Sequence, residues 1–253
     1  MTPWAGPVVL IHAFPLDHRM WEPVAELLTS DGIDVRCIDL PGFGGTALPN
    51  SGESLTVVAE QVREHIPDGA VVVGVSLGGY VVMEILRLLE VNSAQDRLAG
   101  IALCDTKAAA DDDSARSVRQ AMAALADSDP QSLVAALRGG LVPRLTGASP
   151  DPEVVATLED WVSQAHPSTV AWYQRAMSGR PDSFAVLADY LGPSIVIWGK
   201  EDVLSPDSDQ LAMIEVLSRP TSARIDGAGH LACLERPREF AEVLNAWLRH
   251  LPT

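Results

Sequence analysis

Short apolar runs rich in β-branched residues alternate along this chain with longer stretches in which apolar residues recur at helical spacing. The short runs predict strands that are buried on both faces. These strands cover residues 7–11, 33–39, 71–75, 98–104, 194–198 and 222–225. The predicted helices cover residues 21–28, 54–66, 80–89, 206–217 and 236–251. Because strands and helices alternate, we expect an α/β fold with a mostly parallel sheet, flanked by helices and joined by right-handed crossovers.

The alternation stops between residues 108 and 191, where no strand-like run occurs. Asp129-Pro130 and Asp151-Pro152 each place a capping carboxylate before a proline suited to the first helical position. This alanine-rich segment predicts four or five helices inserted between two strands of the sheet. We therefore expect a core of residues 1–106 and 192–253, with residues 107–191 forming a helical lid.

The third predicted strand passes into the following helix through Gly74-Val75-Ser76-Leu77-Gly78. A strand that turns sharply into a helix leaves the residue at the bend exposed at the carboxyl end of the sheet. The two glycines leave room for the turn, and the helix N-terminus offers free N–H groups where negative charge can develop. Gly-x-Ser-x-Gly also occurs by chance, so its context decides whether Ser76 is a nucleophile.

A serine nucleophile requires a base, and the base must be held by a third group. Ser76, Asp202 and His230 each follow a strand-like run, in the chain order typical of this turn. A single loop histidine is usually a surface residue, but this order favours a catalytic His230. Asp105 also ends a strand and is the alternative acid. Two further carboxylates lie close to Asp202 in sequence, namely Glu201 and Asp207.

The composition narrows the class of function. The formal charge is −16, which disfavours nucleic acid and anionic membranes as partners. The three cysteines, Cys37, Cys104 and Cys233, lack metal-like spacing and indicate reduced thiols in a cytoplasmic protein. No signal peptide is recognisable, and residues 70–89 fit a strand and a helix better than a membrane span because glycines and Glu84 interrupt them. The oligomeric state is not readable.

Five motifs spread over nearly the whole chain carry a family resemblance. They are His12-Ala13-Phe14-Pro15, Asp39-Leu40-Pro41-Gly42-Phe43-Gly44, Gly74-Val75-Ser76-Leu77-Gly78-Gly79, Gly199-Lys200-Glu201-Asp202 and Gly227-Ala228-Gly229-His230-Leu231. The chain resembles α/β-hydrolases of the group that contains enol-lactone hydrolases, cofactor-free haloperoxidase-type esterases and meta-cleavage-product hydrolases. The start of the insertion, residues 105–108, is most similar to the enol-lactone hydrolase and haloperoxidase-like branch.

The resemblance implies a serine hydrolase that cleaves a small carboxylic ester or lactone through an acyl-enzyme, without metal or cofactor. Ser76 would be the nucleophile, His230 the base and then the acid, and Asp202 the residue that orients His230. The backbone N–H groups of Phe14 and Leu77 would form the oxyanion hole. Aromatic residues of the insertion that face the sheet would wall a substrate pocket over Ser76. The candidates are Trp161, Trp172, Tyr173 and Phe184.

Two other functions fit the same residues. One is a carbon–carbon bond hydrolase or lyase that uses the same three side chains, and the other is a small-molecule receptor without catalysis. Haloalkane dehalogenases and epoxide hydrolases are disfavoured because they have an aspartate where this chain has Ser76.

The sequence departs from the family pattern in two places. Ala13 replaces the common glycine after His12, which restricts the backbone but leaves the next N–H available. Only six residues precede the first predicted strand, too few for the usual leading hairpin. We therefore expect the sheet to begin at this strand, with Trp4 covering its edge.

Overall fold

In a computed structural model, which describes residues 4–91 and 97–252, six strands form one sheet in the order β2-β1-β3-β4-β5-β6. All five neighbouring pairs run parallel, which confirms the expected α/β fold. The strands are β1 (Pro7–Ile11), β2 (Asp34–Ile38), β3 (Ala70–Val75), β4 (Leu98–Cys104), β5 (Ser194–Gly199) and β6 (Pro220–Ile225).

Twelve α-helices lie in the described part of the chain, and most of those outside the insertion contact strands of the sheet. They are α1 (Glu22–Ser30), α2 (Leu55–Arg63), α3 (Leu77–Val91), α4 (Asp113–Ser128), α5 (Pro130–Ala136), α6 (Val142–Leu145), α7 (Pro152–Gln164), α8 (Pro167–Ser178), α9 (Phe184–Asp189), α10 (Asp207–Val216), α11 (Ala232–Glu235) and α12 (Pro237–Leu248). A 3₁₀ turn (His18–Trp21) precedes α1, and a π-helical turn (Leu137–Leu141) joins α5 to α6.

The centre of the sheet is the most buried part of the core. Every residue of β3 and of β5 is buried, as expected for parallel strands covered by helices on both faces. β1 lies between β2 and β3, so the edges of the sheet are β2 and β6. The expectation that Trp4 covers an edge of the first strand is therefore wrong; Trp4 is buried and its indole lies against Gly6.

Helices α4 to α9 all lie between β4 and β5 in the chain, and α4 packs along α8. These six helices exceed the expected four or five because short pieces flank the π-helical turn. The two Asp-Pro pairs do begin helices, and Asp129 and Asp151 accept hydrogen bonds from the first-turn N–H groups of Ser132 and Glu153. No helix in the described ranges combines the length and the apolar character needed to cross a membrane.

Candidate active site

Ser76 occupies a strained bend between β3 and α3. Its φ is +54°, in the left-handed region that side chains rarely adopt, and the residue is partly exposed. A Cβ at Gly78 would overlap the carbonyl of Ile11, so the glycine lets α3 approach β1 closely. The bend is held by hydrogen bonds from Ser76 N–H to the Cys104 carbonyl at 2.9 Å and from Thr106 Oγ1 to the Ser76 carbonyl at 2.8 Å.

Of the two expected oxyanion-hole residues, one begins a helix and the other lies in the loop after β1. Leu77 is the first residue of α3, where backbone N–H groups lack a partner within the helix. Phe14 follows β1, and its N–H donates no hydrogen bond within the described part of the chain. Neighbouring Ala13 is fixed instead, since its N–H contacts the Met20 sulfur at 3.2 Å and its carbonyl accepts from Leu16 N–H at 2.9 Å.

His12 supports this loop from inside the protein. Its Nε2 accepts the Leu40 N–H at 2.9 Å, and its Nδ1 lies 2.9 Å from the Ala13 carbonyl. Burial lowers the pKa of His12 to about 4, so the ring is neutral at physiological pH. His12 therefore ties the Phe14 loop to the loop after β2.

His230 and Asp202 meet beyond the ends of β5 and β6. His230 Nδ1 lies 2.8 Å from Asp202 Oδ2, and both side chains are buried, with residue exposures of 4% and 6%. Asp202 is itself held by Ser205, whose hydroxyl donates to Oδ2 at 2.6 Å and whose N–H donates to Oδ1 at 3.1 Å. The Leu204 N–H also donates to Oδ1, at 2.7 Å. The carboxylate is therefore fixed in place and oriented towards the imidazole.

The electrostatics of Asp202 favour its ionised form. Burial alone would raise the pKa of this carboxyl, but the neighbouring His230 ring and the hydrogen bonds from His230 and Ser205 outweigh burial and lower it below its ordinary value. An ionised carboxylate beside Nδ1 favours the proton on that nitrogen and leaves Nε2 free to accept another.

The alternative acid, Asp105, makes different contacts. It is fully buried, with a φ of +42°, and its oxygens accept the Gly199 N–H at 2.8 Å and the Ala232 N–H at 3.4 Å. Burial raises the pKa of Asp105 well above its ordinary value, and the charge of Asp202 adds to this rise. Asp105 thus binds the backbone of the loops that carry Asp202 and His230.

The other two carboxylates near Asp202 in sequence point elsewhere. Asp207 accepts the Trp198 indole N–H at 2.6 Å and pairs with Arg224 at 2.8 Å. Glu201 is exposed and accepts the Ala148 N–H at 2.6 Å. Asp202 is thus the carboxylate in contact with the histidine ring.

The four aromatic residues expected around a pocket are placed differently from one another. Trp161 lines an open groove of about 640 Å³ that also includes Pro15 and Phe43, and Arg19 lies 5.3 Å over its ring. Tyr173 is fully buried, with its ring tilted against Phe43 and edge-on to Trp172, and it donates its hydroxyl to the Pro41 carbonyl at 2.9 Å. Phe184 begins α9 and packs partly buried against the core.

One cluster in the described ranges has the composition of a cation site. Asp17, His18 and Asp39 offer ligand atoms within 4.8 Å of one another. Arg19, however, donates to both carboxylate oxygens of Asp17 at 2.8 Å each. Asp39 accepts from the His18 backbone N–H and lies 2.8 Å from its Nδ1. These contacts join the loop after β1 to the loop after β2.

Three supporting residues were missed at the level of sequence. Ser205 and Thr106 hold Asp202 and the bend, and Glu235 accepts the N–H group of Gly229, next to His230, at 2.7 Å. Ser205 lies three residues after Asp202, a spacing that favours a side chain-to-carboxylate bond in a tight turn, and this signal was available. Thr106 bonds to a residue 30 positions away, and the bond between Glu235 and Gly229 has no recognisable sequence signature.

A parallel sheet, a serine at a strand-to-helix bend and a buried histidine–aspartate pair define an α/β-hydrolase. A model described as the alpha/beta hydrolase family matches residues 8–243, and the chain belongs to this family. The expected resemblance is confirmed.

Two relatives match nearly all of the chain. A pimeloyl-[acyl-carrier protein] methyl ester esterase of Aromatoleum aromaticum is 28% identical over 96% of this chain and 98% of that protein. A biotin biosynthesis bifunctional protein BioHC of Teredinibacter turnerae is 25% identical over 96% of this chain but 44% of that protein, so the chain spans less than half its length.

Solved structures agree on the fold. A thermophilic esterase from Thermogutta terrifontis, with malate bound, is 31% identical and matches with a TM-score of 0.88, covering 100% of this chain and 92% of that one. The enol-lactonase from Burkholderia xenovorans matches with a TM-score of 0.83 at 22% identity, over 97% and 92% of the two chains, which shows the fold alone. These relatives place the chain among esterase-like hydrolases.

Proposed function

We propose that this protein is a serine esterase that cleaves a small carboxylic ester through an acyl-enzyme. The observation that carries the proposal is the buried His230–Asp202 contact of 2.8 Å, in a parallel sheet whose third strand ends in a serine held at a positive φ. A loop histidine without a catalytic role would not require a buried carboxylate partner that is held by three further hydrogen-bond donors from Leu204 and Ser205. Relatives named as esterases support the same reaction class.

In the proposed reaction, Ser76 Oγ attacks the acyl carbonyl carbon while His230 Nε2 takes its proton. The N–H groups of Phe14 and Leu77 stabilise the oxyanion of the tetrahedral intermediate. Its collapse breaks the bond to the alcohol oxygen, which receives the proton from His230. Water, activated by the same imidazole, then hydrolyses the acyl-enzyme and regenerates Ser76. Asp202 keeps His230 in one tautomer throughout.

A small, weakly charged ester is the substrate class that fits best. With a net charge of −16, the protein repels dianionic substrates and acidic protein partners. Lactones are the second candidate, since ring opening needs the same acyl transfer.

The three free cysteines support the expected cytoplasmic location, where thiols stay reduced. We also propose that residues 107–191 act as a lid that shapes the acyl pocket.

The test is hydrolysis of nitrophenyl esters of increasing acyl length, with simple lactones alongside, by the wild type and by Ser76→Ala. Loss of the nucleophile lowers turnover by as much as ~10⁶-fold in serine hydrolases, so a near-complete loss is expected. The optimal acyl length then measures the pocket. Turnover that survives in Ser76→Ala would refute the nucleophile, and a wild type without ester or lactone turnover would favour a carbon–carbon hydrolase, a lyase or a receptor.

A further inference from the structure

The loop that carries His230 lies between two backbone segments with no side chain separating them. On one side, a Cβ at Gly199, the last residue of β5, would overlap the carbonyl oxygens of Ala228 and Gly229. On the other side, a Cβ at Gly229 would overlap the backbone of Thr146, at the end of α6. The loop that carries His230 (the base loop) therefore contacts both the end of β5, the strand before Asp202, and the helical insertion directly through backbone atoms.

Hydrogen bonds reinforce the contact with the insertion. The carboxylate of Glu235 accepts the Gly229 N–H through Oε1 at 2.7 Å and the Gly147 N–H through Oε2 at 2.8 Å. The Leu231 N–H donates to the Leu145 carbonyl at 3.0 Å. The two residues that flank His230 in sequence are thus each involved in a contact that reaches the insertion.

Glu235 is well suited to hold this arrangement rigidly. It is 8% exposed and lies in α11, which begins two residues after His230. Each carboxylate oxygen is used by a different N–H group, one from the base loop and one from the insertion. Hydrogen bonds to a charged acceptor are stronger than bonds between neutral groups, and an amide of the same shape has only one oxygen to offer.

We propose that Glu235 is a positioning residue for His230, which fixes the base against both β5 and the end of α6 in the helical insertion. The inference rests on the proposed function. Glu235 does not touch the reacting atoms; it acts through the Gly229 peptide. A displacement of ~1 Å in a catalytic group can cost ~10²-fold in rate, so a loosened Gly229 peptide lowers kcat more than it changes KM.

The test compares Glu235→Gln with Glu239→Gln, which removes the same charge from an exposed position four residues on, in α12. Active sites are counted by endpoint labelling with a fluorophosphonate, and kcat and KM of a nitrophenyl ester are expressed per labelled site. We expect Glu235→Gln to lower kcat by ~10- to 100-fold with KM within about threefold, and Glu239→Gln to stay within about twofold of the wild type.

One further readout and one further variant separate positioning from general stabilisation. The proton on His230 Nδ1, observed by NMR at low field, is expected to shift or broaden in Glu235→Gln and to remain in Glu239→Gln. Glu235→Asp keeps the charge but is shorter by one methylene, so it carries the same expected loss and replaces the Gln variant if that does not fold. A lower Tm with unchanged kcat per labelled site would overturn the proposal.

The outcomes distinguish this inference from the proposed function. A wild type without Ser76-dependent turnover refutes the esterase, while the Nδ1 proton still reports whether Glu235 positions His230. A wild type with turnover and a Glu235→Gln variant with wild-type kcat per site and an unchanged Nδ1 signal refutes the positioning role alone.

Discussion

Two buried aspartates follow neighbouring strands of the sheet, and their surroundings give them opposite properties. Asp105, after β4, accepts hydrogen bonds from the backbone of Gly199 and Ala232, and burial raises its pKa well above the ordinary value. Asp202, after β5, contacts His230, and despite burial its pKa is lowered. Position at the carboxyl end of a parallel strand is therefore not enough to define a catalytic acid.

The difference lies in the partners. Burial of Asp105 penalises its charged form, and the charge of Asp202 opposes a second charge beside it. The backbone N–H bonds from Gly199 and Ala232 favour the anion but do not outweigh these two effects. A carboxyl that meets an imidazole and a hydroxyl is stabilised as the anion. Asp105 therefore supports the backbone after β5 and after His230, whereas Asp202 contacts the ring of the proposed base.

The largest expected effect comes from exchanging the two acids for amides. Asp202→Asn is expected to lower kcat/KM by ~10⁴-fold, because an amide no longer holds His230 in the required tautomer. Asp105→Asn is expected to remain within about tenfold, since this side chain does not bond to His230. Steady-state kinetics of both variants with one nitrophenyl ester checks the pair. The reverse ranking would make Asp105 the catalytic acid.

The pH dependence of stability should also differ in sign between the two. Asp105 holds a proton in the folded state that the unfolded chain releases at the ordinary pKa, so the wild type loses stability as pH rises through this window, by up to about 1.4 kcal/mol per pH unit. Asp105→Asn should lack this loss. Asp202 has a lowered pKa in the folded protein. Its contribution to the free energy of unfolding is therefore present above the ordinary pKa of an aspartate and is lost as pH falls through the pKa of the folded state.

Urea denaturation of the wild type and both variants at pH steps across the acid range measures these slopes. Groups that titrate alike in all three proteins cancel in the differences. Parallel curves for the wild type and Asp105→Asn would mean that this carboxyl is ionised in the folded protein, which would remove the contrast.

The smallest expected effect concerns the support of Asp202. Ser205→Ala removes the hydroxyl that donates to Oδ2 at 2.6 Å and leaves the two backbone donors to Oδ1 in place. We expect kcat/KM to fall by ~3- to 10-fold, the equivalent of about 1 kcal/mol for one hydrogen bond. Ser208→Ala, at an exposed position of α10, serves as the control. Equal kinetics in both variants would show that the backbone donors suffice.

Much of the fold was predictable because local patterns and tertiary structure agree. The strand predicted at 98–104 is found at Leu98–Cys104, and both Asp-Pro pairs begin helices. The sequence predicted that this helix begins at Tyr80, because Gly78 and Gly79 are weak helix formers. Helix α3 in fact begins at Leu77, and the two glycines allow its first turn to pack closely on β1 and Thr106.

The geometry of the site was predictable only in part. The order of Ser76, Asp202 and His230 indicated a pair between the last two, which the structure places at 2.8 Å. Sequence order favoured Asp202 over Asp105, but the physical reason lies in their burial and partners, which the sequence does not show. Nor could it find the bond from Gly147 to Glu235, which joins residues 88 positions apart. The aromatic content of the insertion did not indicate which rings fill the interior, as Tyr173 does, and which line a groove, as Trp161 does.

The left-handed backbone of Ser76 and Asp105, at the ends of two adjacent strands, also has an evolutionary consequence. A side chain in such a conformation costs the fold on the order of 1 kcal/mol or more, which glycine avoids. At Asp105 a glycine would also remove the acceptor of the Gly199 and Ala232 N–H groups, so the side chain offsets its own strain. At Ser76 selection for stability alone would favour glycine. In a descendant that lost its activity, Ser76 should therefore be among the first positions to drift to glycine, while Asp105 should persist.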